Sequence, residues 1–492
     1  MRWRHFHSKP LRYPSAFLLQ RLHDTLWRYL VASSRTLINR RRFLKSIAAA
    51  ASAPTVLGAC RSSQLRPTAL APDPHRLLDL PQGFEWHVVS RAGDRMSDGL
   101  QVPPAHDGMA AFAGADNRVV LICNHEMKPE QPALSAFGED FKRLPAAIKG
   151  RVYDTGGEQT PGAGGTTTTI YNPATRTTER QFLSLAGTEL NCAGGKTPWN
   201  SWLSCEETFA APGITESGGA KVIREKKHGY VFEVSAAAEG LVEPVPLKAM
   251  GRFEHEAAAV HEPSGIVYLT EDKHHSLFYR FIPAVPGRLS EGGRLQALAV
   301  RGQSAFATHN WSNRRAINIG EPVATHWIDL DNVDSAENDL RLRGAAKGAA
   351  TFARGEGLTT ADGSLVFTCT IGGPDRLGQV FSYAPSLYEG SAREQAEPGQ
   401  LRLIAEANHD SLLRNADNLT MAPWGDLIVC EDTADHCGLV GIRADGSAYA
   451  LADNAYSESE LAGVCFSPDG SVLFVNIQRA GLTLAITGPW PT

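Results

Sequence analysis

The chain has 492 residues, and its 48 basic and 53 acidic side chains give a formal net charge of −5. Hydrophobic residues make up 42% and charged residues 21%, a globular balance that excludes wholesale disorder. Without a basic excess, nucleic acid is not expected as a specific partner. Eight cysteines are too few for a disulfide-rich scaffold of this length.

The N-terminal segment has the features of an export signal. Arg40–Lys45 reads RRRFLK, the twin-arginine pattern, and a short alanine-rich apolar run from Ile47 to Leu57 follows it. The run is too short to span a bilayer, and this order of regions is typical of a signal peptide. Residues 1–59 are therefore predicted to engage the twin-arginine translocase. Because that route carries folded proteins, it favours a protein that is loaded with metal before export.

The signal ends in a segment that resembles a lipobox, LGAC at Leu57–Cys60. Cys60 is then expected to become the lipidated first residue; a plain cleavage near Ala59 is the alternative. Residues 60–75 are polar and contain proline, as in a tether, and residues 76–492 are predicted to form the folded domain. The protein is therefore expected in the periplasm or on the cell surface, with a membrane anchor if the lipobox is used.

A repeated hairpin organises the rest of the chain. Short apolar strands recur around turns with glycine or asparagine, and no long helical period stands out. The six copies are Asp107–Glu126, Cys192–Glu207, Glu256–Asp272, Glu356–Thr370, Asp417–Asp432 and Ala462–Gln478. A constant hairpin with variable insertions is typical of propeller blades, whereas a β-sandwich gives no reason for the repeat. The sequence predicts an all-β fold, a six-bladed β-propeller with inter-blade insertions.

The ends of these hairpins predict a metal site. In a propeller, the start of each first strand and the end of each second strand lie on one face around the axis. The first positions are Asp107, Cys192, Glu256, Glu356 and Asp417. The acids after the second strands are Glu126, Glu206, Glu207, Glu271, Asp272, Glu431 and Asp432. Converging carboxylates stay ionised together only beside cations. A solvated acidic rim without metal is the alternative.

Cys192 stands apart from the other cysteines because it occupies a position where other copies place a carboxylate. The second-strand position that the copies share is expected to hold a small buried residue. It is occupied by Cys123, Cys205, Cys369 and Cys430, which are therefore expected to be packing thiols. One thiolate among carboxylates indicates a transition metal such as iron or zinc beside oxygen-bound Ca²⁺. Arg354 precedes Glu356 by two residues and is placed to bind an anion through its guanidinium fork; charge balance for the acids is the alternative.

These segments resemble the PhoX-type alkaline phosphatases. The resemblance runs in order over essentially the whole mature chain, and NCAGG-x-TPW…CEE is its most specific part. The matching segments are Leu121–Glu126, Asn191–Glu207, Gly251–Ala258, Tyr268–Asp272, Arg354–Glu356, Asp417–Asn418, Cys430–Asp432 and Gly463–Trp490.

The resemblance implies a six-bladed propeller with two iron ions (Fe³⁺) and three Ca²⁺ ions at the axial mouth. It implies hydrolysis of phosphate esters, with monoesters as substrates and diesters left open. Arg354 would hold the substrate phosphate, and Cys192 would bind iron. The predicted metal ligands are Cys192, Glu207, Glu256, Glu356, Asp417, Glu126, Asp107 and Glu431.

Two other functions remain open at this point. A calcium-dependent lactonase-like hydrolase would need calcium but no thiolate ligand. A non-catalytic propeller lipoprotein, which binds a partner and uses metal structurally, would tolerate Arg354→Ala without functional loss.

Overall fold

A computed structural model describes residues 69–138, 146–217, 220–312, 315–434 and 436–491. The twin-arginine motif and Cys60 lie outside these ranges. The described chain is almost entirely β-structure, with one α-helix, α1 (Leu340–Ala346). Short 3₁₀ turns lie at Ala115–Asn117, Pro132–Leu134, Ala146–Arg151, Gly156–Glu158, Lys248–Met250, Leu289–Glu291 and Ala392–Gln395. Within these ranges, no helix is long and apolar enough to cross a membrane.

The strands fall into repeated units that are named here by their order. Before unit one lie β1 (Leu70–Ala71), β2 (Leu78–Pro81) and β3 (Glu85–Arg91). Unit one has β4 (His106–Ala113), β5 (Val119–His125), β6 (Gly164–Asn172) and β7 (Thr177–Thr188). Unit two has β8 (Asn191–Lys196), β9 (Ser201–Glu206) and β12 (Val231–Ser235), with an inserted hairpin of β10 (Gly213–Ser217) and β11 (Ala220–Arg224).

The third and fourth units are separated by the helix. Unit three has β13 (His255–His261), β14 (Ile266–Glu271), β16 (Tyr279–Pro283) and β17 (Gly293–Val300). The short strands β15 (His274–Ser276) and β19 (Phe352–Ala353) pair with each other, and β18 (Pro322–Asp329) precedes α1. Unit four has β20 (Gly355–Ala361), β21 (Ser364–Cys369), β22 (Gln379–Ala384) and β23 (Gln400–Glu406).

The last two units are completed by strands from the start of the described chain. Unit five has β24 (Ala416–Met421), β25 (Leu427–Glu431), β26 (Gly438–Ile442) and β27 (Ala448–Asn454). Unit six has β28 (Leu461–Phe466), β29 (Leu473–Ile477) and β30 (Leu482–Thr487). Strand β3 pairs with β30, and β2 pairs with β27. Strand β1 lies within the range predicted as a tether, and it pairs with β2.

The first strands of the six units form a closed ring. Strand β4 packs beside β8, followed in order by β13, β20, β24 and β28, which returns to β4. Apolar side chains fill the spaces between units: Phe112 and Ile122 of unit one pack with Trp202 and Phe232 of unit two. Burial of such faces supplies the main free energy that holds the ring together. The fold is all-β with a propeller-like arrangement, as predicted.

The count of six separate blades is corrected by the sheet pairing. Among the described residues, four sheets have four or more strands, rather than six. Units three and four share one nine-stranded sheet because β18 pairs with both β17 and β23, and unit two has only three strands in its sheet. The hairpin repeat identifies the units, but it carries no information on the pairing of their outer strands.

Every first strand has the same irregularity in register near its start. In unit one, His106 and Met109 pair with β5, whereas the two residues between them are unpaired. The unpaired segments of the other units begin at Cys192, Glu256, Glu356, Asp417 and Gly463. Such a bulge re-aims the side chain that it carries. The sixth copy of the pattern is therefore aligned at Gly463, not at Ala462 as the sequence repeat suggested.

Candidate metal centre

A cavity of about 440 Å³ opens where the first strands of the ring begin. Nine carboxylates, one thiol and three cationic side chains line it. They are Asp107, Glu126, Cys192, Glu207, Glu256, Asp272, Glu356, Asp417, Asp432, Glu460, Lys128, Arg354 and Arg479. The set includes Arg354 and seven of the eight predicted metal ligands, which the chain supplies from five of the six units.

The bulges that carry these side chains are fixed by polar residues of the preceding unit. Thr270 Oγ1 donates a hydrogen bond to the Glu356 carbonyl at 2.5 Å, and Thr368 Oγ1 donates to that of Asp417 at 2.6 Å. The remaining such bonds are Asn124 Nδ2 to the Cys192 carbonyl, 2.8 Å, and Asn476 Nδ2 to the Asp107 carbonyl, 2.5 Å. Satisfying buried carbonyls in this way holds the bulges in place.

The ligand atoms of the cavity form three adjoining groups, each with atoms within 4.8 Å of one another. The groups are Cys192, Glu207 and Glu256; Glu256, Glu356 and Asp417; and Asp417, Asp432 and Glu460. Glu256 and Asp417 each belong to two groups, so the three candidate sites form a continuous row.

Glu256 joins the first two groups of this row and is poorly satisfied by protein groups. Its Oε1 lies 3.3 Å from Cys192 Sγ, whereas its Oε2 is buried without a hydrogen-bond partner among the described residues. Burial, followed by repulsion from Glu356 and Glu207, raises the pKa of Glu256 well above its usual value. Burial and the surrounding acids raise the pKa of the Cys192 thiol in the same way. A cation would relieve both costs, so these residues fit a metal.

Asp107 and Glu126 share one amide at the junction of units six and one. Gln478 Nε2 donates to Asp107 Oδ2 at 2.8 Å and to Glu126 Oε2 at 2.9 Å. Burial nevertheless raises the pKa of Asp107 to about 6, and burial with repulsion from Asp107 raises that of Glu126 to about 8. One neutral amide therefore does not offset the charge of two adjacent carboxylates.

Within the described residues, Arg354 is the one cation of the cavity that is bonded to carboxylates. Its Nε and Nη2 donate to Asp272 at 2.7 and 2.6 Å, and Nη2 lies 3.3 Å from Glu356 Oε1. Thr370 Oγ1 also donates to Glu356 Oε1 at 2.5 Å. Hydrogen bonding to Asp272 raises the pKa of Arg354 further above its usual value. Its backbone has a φ of 56°, a conformation that costs energy for a non-glycine residue and aims this side chain.

Glu431 is the predicted ligand that the structure does not bring to the cavity. It pairs with Ala416, and its Oε1 accepts a hydrogen bond from the backbone N–H of Arg414 at 2.9 Å. Successive side chains of a strand point to opposite faces, so the next residue, Asp432, lines the cavity instead. In Cys205–Glu207 and Thr270–Asp272 it is likewise the last residue, Glu207 or Asp272, that lines the cavity. The same rule applied to Cys430–Asp432 would have selected Asp432.

Two further carboxylates were missed by the list of predicted ligands. Asp272 directly follows the second strand of unit three, and Glu460 lies in the loop before β28. Asp272 carries the same signal as Glu207. Glu460 lies outside both repeat positions, so no pattern in the sequence points to it.

The cavity therefore holds nine acids against three cations. A phosphate group is itself anionic and would be repelled by this excess unless cations neutralised part of it. Carboxylate oxygens are suitable ligands for Ca²⁺, and the group with the thiol suits a transition metal. The residues thus fit a cluster of metal ions.

The propeller-like fold and this donor set define a metal-binding propeller protein. A sequence model described as Alkaline phosphatase PhoX matches residues 65–481. The chain belongs to the PhoX family of alkaline phosphatases, and it is a metal-dependent phosphoric monoester hydrolase. Comparison with curated protein sequences gives no match.

One solved structure of low sequence identity shares the fold, and a second is only distantly similar. PhoX of Pseudomonas fluorescens, in complex with the transition-state analogue vanadate, is 18% identical, with 86% of this chain and 97% of that chain covered and a TM-score of 0.61. A gluconolactonase from Xanthomonas campestris is 13% identical over 86% of this chain and 99% of that one, with a TM-score of 0.37. The first similarity supports the fold, and the second is too weak to support a functional argument.

Proposed function

We propose that the chain hydrolyses phosphate monoesters with iron and calcium ions held in this cavity. The observation that carries the proposal is the excess of nine carboxylates over three cations at the axis, with Cys192 among the acids. A purely structural role would not require nine acids around an open cavity, three of them buried and six half-buried, because burial without cations disfavours their ionised forms.

The three ligand groups divide by chemistry. The group that contains Cys192 offers a soft thiolate together with Glu207 and Glu256, which favours iron. The other two groups offer oxygen atoms alone, which favours Ca²⁺. Bound metal ions would neutralise phosphate charge and lower the pKa of bound water.

The attacking group is proposed to derive from water. Among the described residues that line the cavity, none is serine, threonine or histidine, and Cys192 belongs to a ligand group. The side chains therefore act by binding and orientation: the acids hold the cations, and Arg354 positions the ester phosphate.

Arg354 is suited to this task because only part of its fork is occupied. Asp272 accepts from Nε and Nη2, whereas Nη1 has no hydrogen-bond partner among the described residues. The side chain is 31% exposed at the cavity. Asp272 thus fixes the plane of the guanidinium, and Nη1 remains for a phosphate oxygen.

We also propose that the protein is exported by the twin-arginine pathway and is lipidated at Cys60. The support is the RRRFLK motif of Arg40–Lys45 followed by LGAC. Fractionation of cells that express the full chain tests this: Cys60→Ala should move the protein from the membrane fraction to the soluble periplasmic fraction. Cytoplasmic retention of the full chain would contradict export.

The decisive experiment is hydrolysis of a chromogenic phosphate monoester at alkaline pH by the exported protein. We expect turnover with calcium, loss after chelation, and recovery after calcium is restored, with iron and calcium counted by mass spectrometry. Hydrolysis of a lactone but not of the monoester would contradict the phosphatase function. Full turnover after complete removal of metal would contradict the role of the cavity.

A further inference from the structure

The wall of the cavity that carries Glu126 and Gln478 also carries two cations that have no carboxylate partner in the described part of the chain. Lys128 follows β5 by three residues, and Arg479 follows β29 by two. Both are exposed and line the cavity, and neither makes a side-chain hydrogen bond or an ion pair within the described residues. The bond from Gln478 Nε2 to Glu126 Oε2, 2.9 Å, ties their two segments together. The two cations therefore lie on adjoining segments of one wall.

This wall faces Arg354 across the axis. Lys128 belongs to unit one and Arg479 to its neighbour, unit six, whereas Arg354 precedes the first strand of unit four. In the closed ring of first strands, units one and four are separated by two units in either direction. The cavity thus has a cation bonded to acids on one side and two unbonded cations on the other.

We propose that Lys128 and Arg479 bind a second anionic group of the substrate while the ester phosphate lies near Arg354. The inference rests on the proposed function and specifies its substrate class: phosphate monoesters that carry another anion, such as a carboxylate or a second phosphate. Two side chains with free N–H donors make charge-assisted hydrogen bonds to such a group. The negative charges of Glu126 and Glu460 weaken the attraction of Lys128 and Arg479 for an anion at a distance. The second anionic group is therefore bound only when it lies within hydrogen-bonding distance of the two cations.

A simpler role for the two cations is to offset the charge of Glu126 and Glu460: burial raises the pKa of both carboxyls, and Arg479 opposes part of that rise. That role would affect every substrate equally, because it acts on the acids that would hold metal. A ratio of two substrates separates the roles. 3-Phosphoglycerate and glycerol 3-phosphate share a carbon chain and an ester phosphate, and they differ in a carboxylate at the far end.

The experiment measures kcat/KM for both compounds with the metal-loaded enzyme. We expect the wild type to prefer 3-phosphoglycerate and the double variant Lys128→Ala, Arg479→Ala to lower that preference by about 10-fold, the size expected for lost charge-assisted bonds. Lys128→Arg keeps the charge and should keep the preference. Arg288→Ala, an exposed cation that does not line the cavity, should leave the preference unchanged.

The outcomes distinguish this inference from the proposed function. Equal losses on both substrates, or a wild type that does not prefer 3-phosphoglycerate, would overturn the second binding site but leave the phosphatase intact. Failure of the metal-loaded wild type to hydrolyse either compound or the chromogenic ester would overturn the proposed function and this inference together. Thermal unfolding and metal content of each variant confirm that the compared proteins are folded and loaded.

Discussion

Asp272 holds Arg354 by two hydrogen bonds, from Nε to Oδ1 at 2.7 Å and from Nη2 to Oδ2 at 2.6 Å. This contact joins the end of the second strand of unit three to the start of unit four. It fixes the orientation of the Arg354 guanidinium, whose Nη2 also lies 3.3 Å from Glu356 Oε1. The pair therefore sets where an anion can be bound in a cavity that is otherwise rich in acids.

Replacement of Asp272 by asparagine should misplace Arg354. We expect Asp272→Asn to lower kcat/KM for a chromogenic monoester by about 10- to 100-fold, because an amide accepts at one position only and carries no charge. Arg118 and Glu179 provide a matched control: their two bonds, 3.0 and 3.0 Å, have the same geometry on the surface. Glu179→Gln should leave kcat/KM unchanged. An Asp272→Asn variant with the kcat/KM of the wild type would contradict a positioning role.

Variants of Cys192 and Cys369 distinguish a thiol that binds metal from a thiol that packs in the core. Cys192→Ser should lose iron and activity together, because a hydroxyl is a poor substitute for a thiolate on a transition metal. Cys369→Ser places a hydroxyl in the buried second-strand position and should lower the free energy of unfolding by about 1–3 kcal/mol while iron content is kept. Metal analysis and activity of both purified variants check this. Retained iron in Cys192→Ser would exclude the thiol as a ligand.

Removal of metal should destabilise the protein most at high pH. Without cations, the pKa of Asp107 lies at about 6 and that of Glu126 at about 8, above their values in the unfolded chain. Between pH 4 and 8 the folded state then binds more protons than the unfolded state, so stability falls as the pH rises. We expect the Tm of chelated protein to be lower at pH 9 than at pH 5, and calcium to restore it. A chelated protein with equal Tm at both values would contradict the prediction.

His228 gives the opposite kind of buried group, a cation held by acids. Its Nδ1 lies 2.6 Å from Glu206 Oε1, and its Nε2 lies 3.3 Å from Asp154 Oδ2. Burial disfavours its charge, but attraction to Glu206 and bonding to Asp154 outweigh burial and raise the pKa to about 10. Because the folded pKa exceeds the unfolded one, the stabilisation is complete below pH 6.5 and is lost as the pH rises to 10.

The measurement for His228 is chemical unfolding between pH 6.5 and pH 10. We expect the free energy of unfolding to fall by about 2–4 kcal/mol over this range. His228→Asn should be less stable at pH 6.5 and should show a flatter profile. His326→Asn, at an exposed position, should follow the wild type. An unchanged slope in His228→Asn would mean that other groups titrate.

Gly463 completes the ring where the other units place an acid or a thiol. Its φ is +62°, and a Cβ there would lie 2.3 Å from the Asp107 carbonyl oxygen and 2.6 Å from Asn476 Nδ2. Gly463→Ala should therefore cost about 3 kcal/mol or more of stability and displace Asp107. Gly302→Ala, at a φ of +72° with nothing within 4 Å, should cost about 1 kcal/mol from backbone strain alone. Equal denaturation midpoints for both variants would contradict the steric argument.

The comparison of Glu431 with Asp432 shows where the repeat was informative and where it was not. The repeat placed both residues near the end of the second strand, and strand alternation could have selected Asp432 from CED. The bulges of the first strands show that the sixth copy is aligned at Gly463, one residue after the Ala462 that the sequence repeat suggested. Gly463 lacks a side chain, so the sequence carries no chemical signal at this position. Glu460 lies in a loop, where the sequence has no period to read.

The sequence by itself determined the family, the phosphatase activity, the all-β class and most side chains of the cavity, because hairpin spacing and short motifs are local properties. Only the tertiary structure decided that units three and four share a sheet, that Arg354 binds Asp272, and that Lys128 and Arg479 stand opposite them. These relationships depend on which strands meet across the ring. Hydrogen bonds and electrostatic attraction depend on the distance between atoms in space, whereas the sequence gives only the separation of residues along the chain.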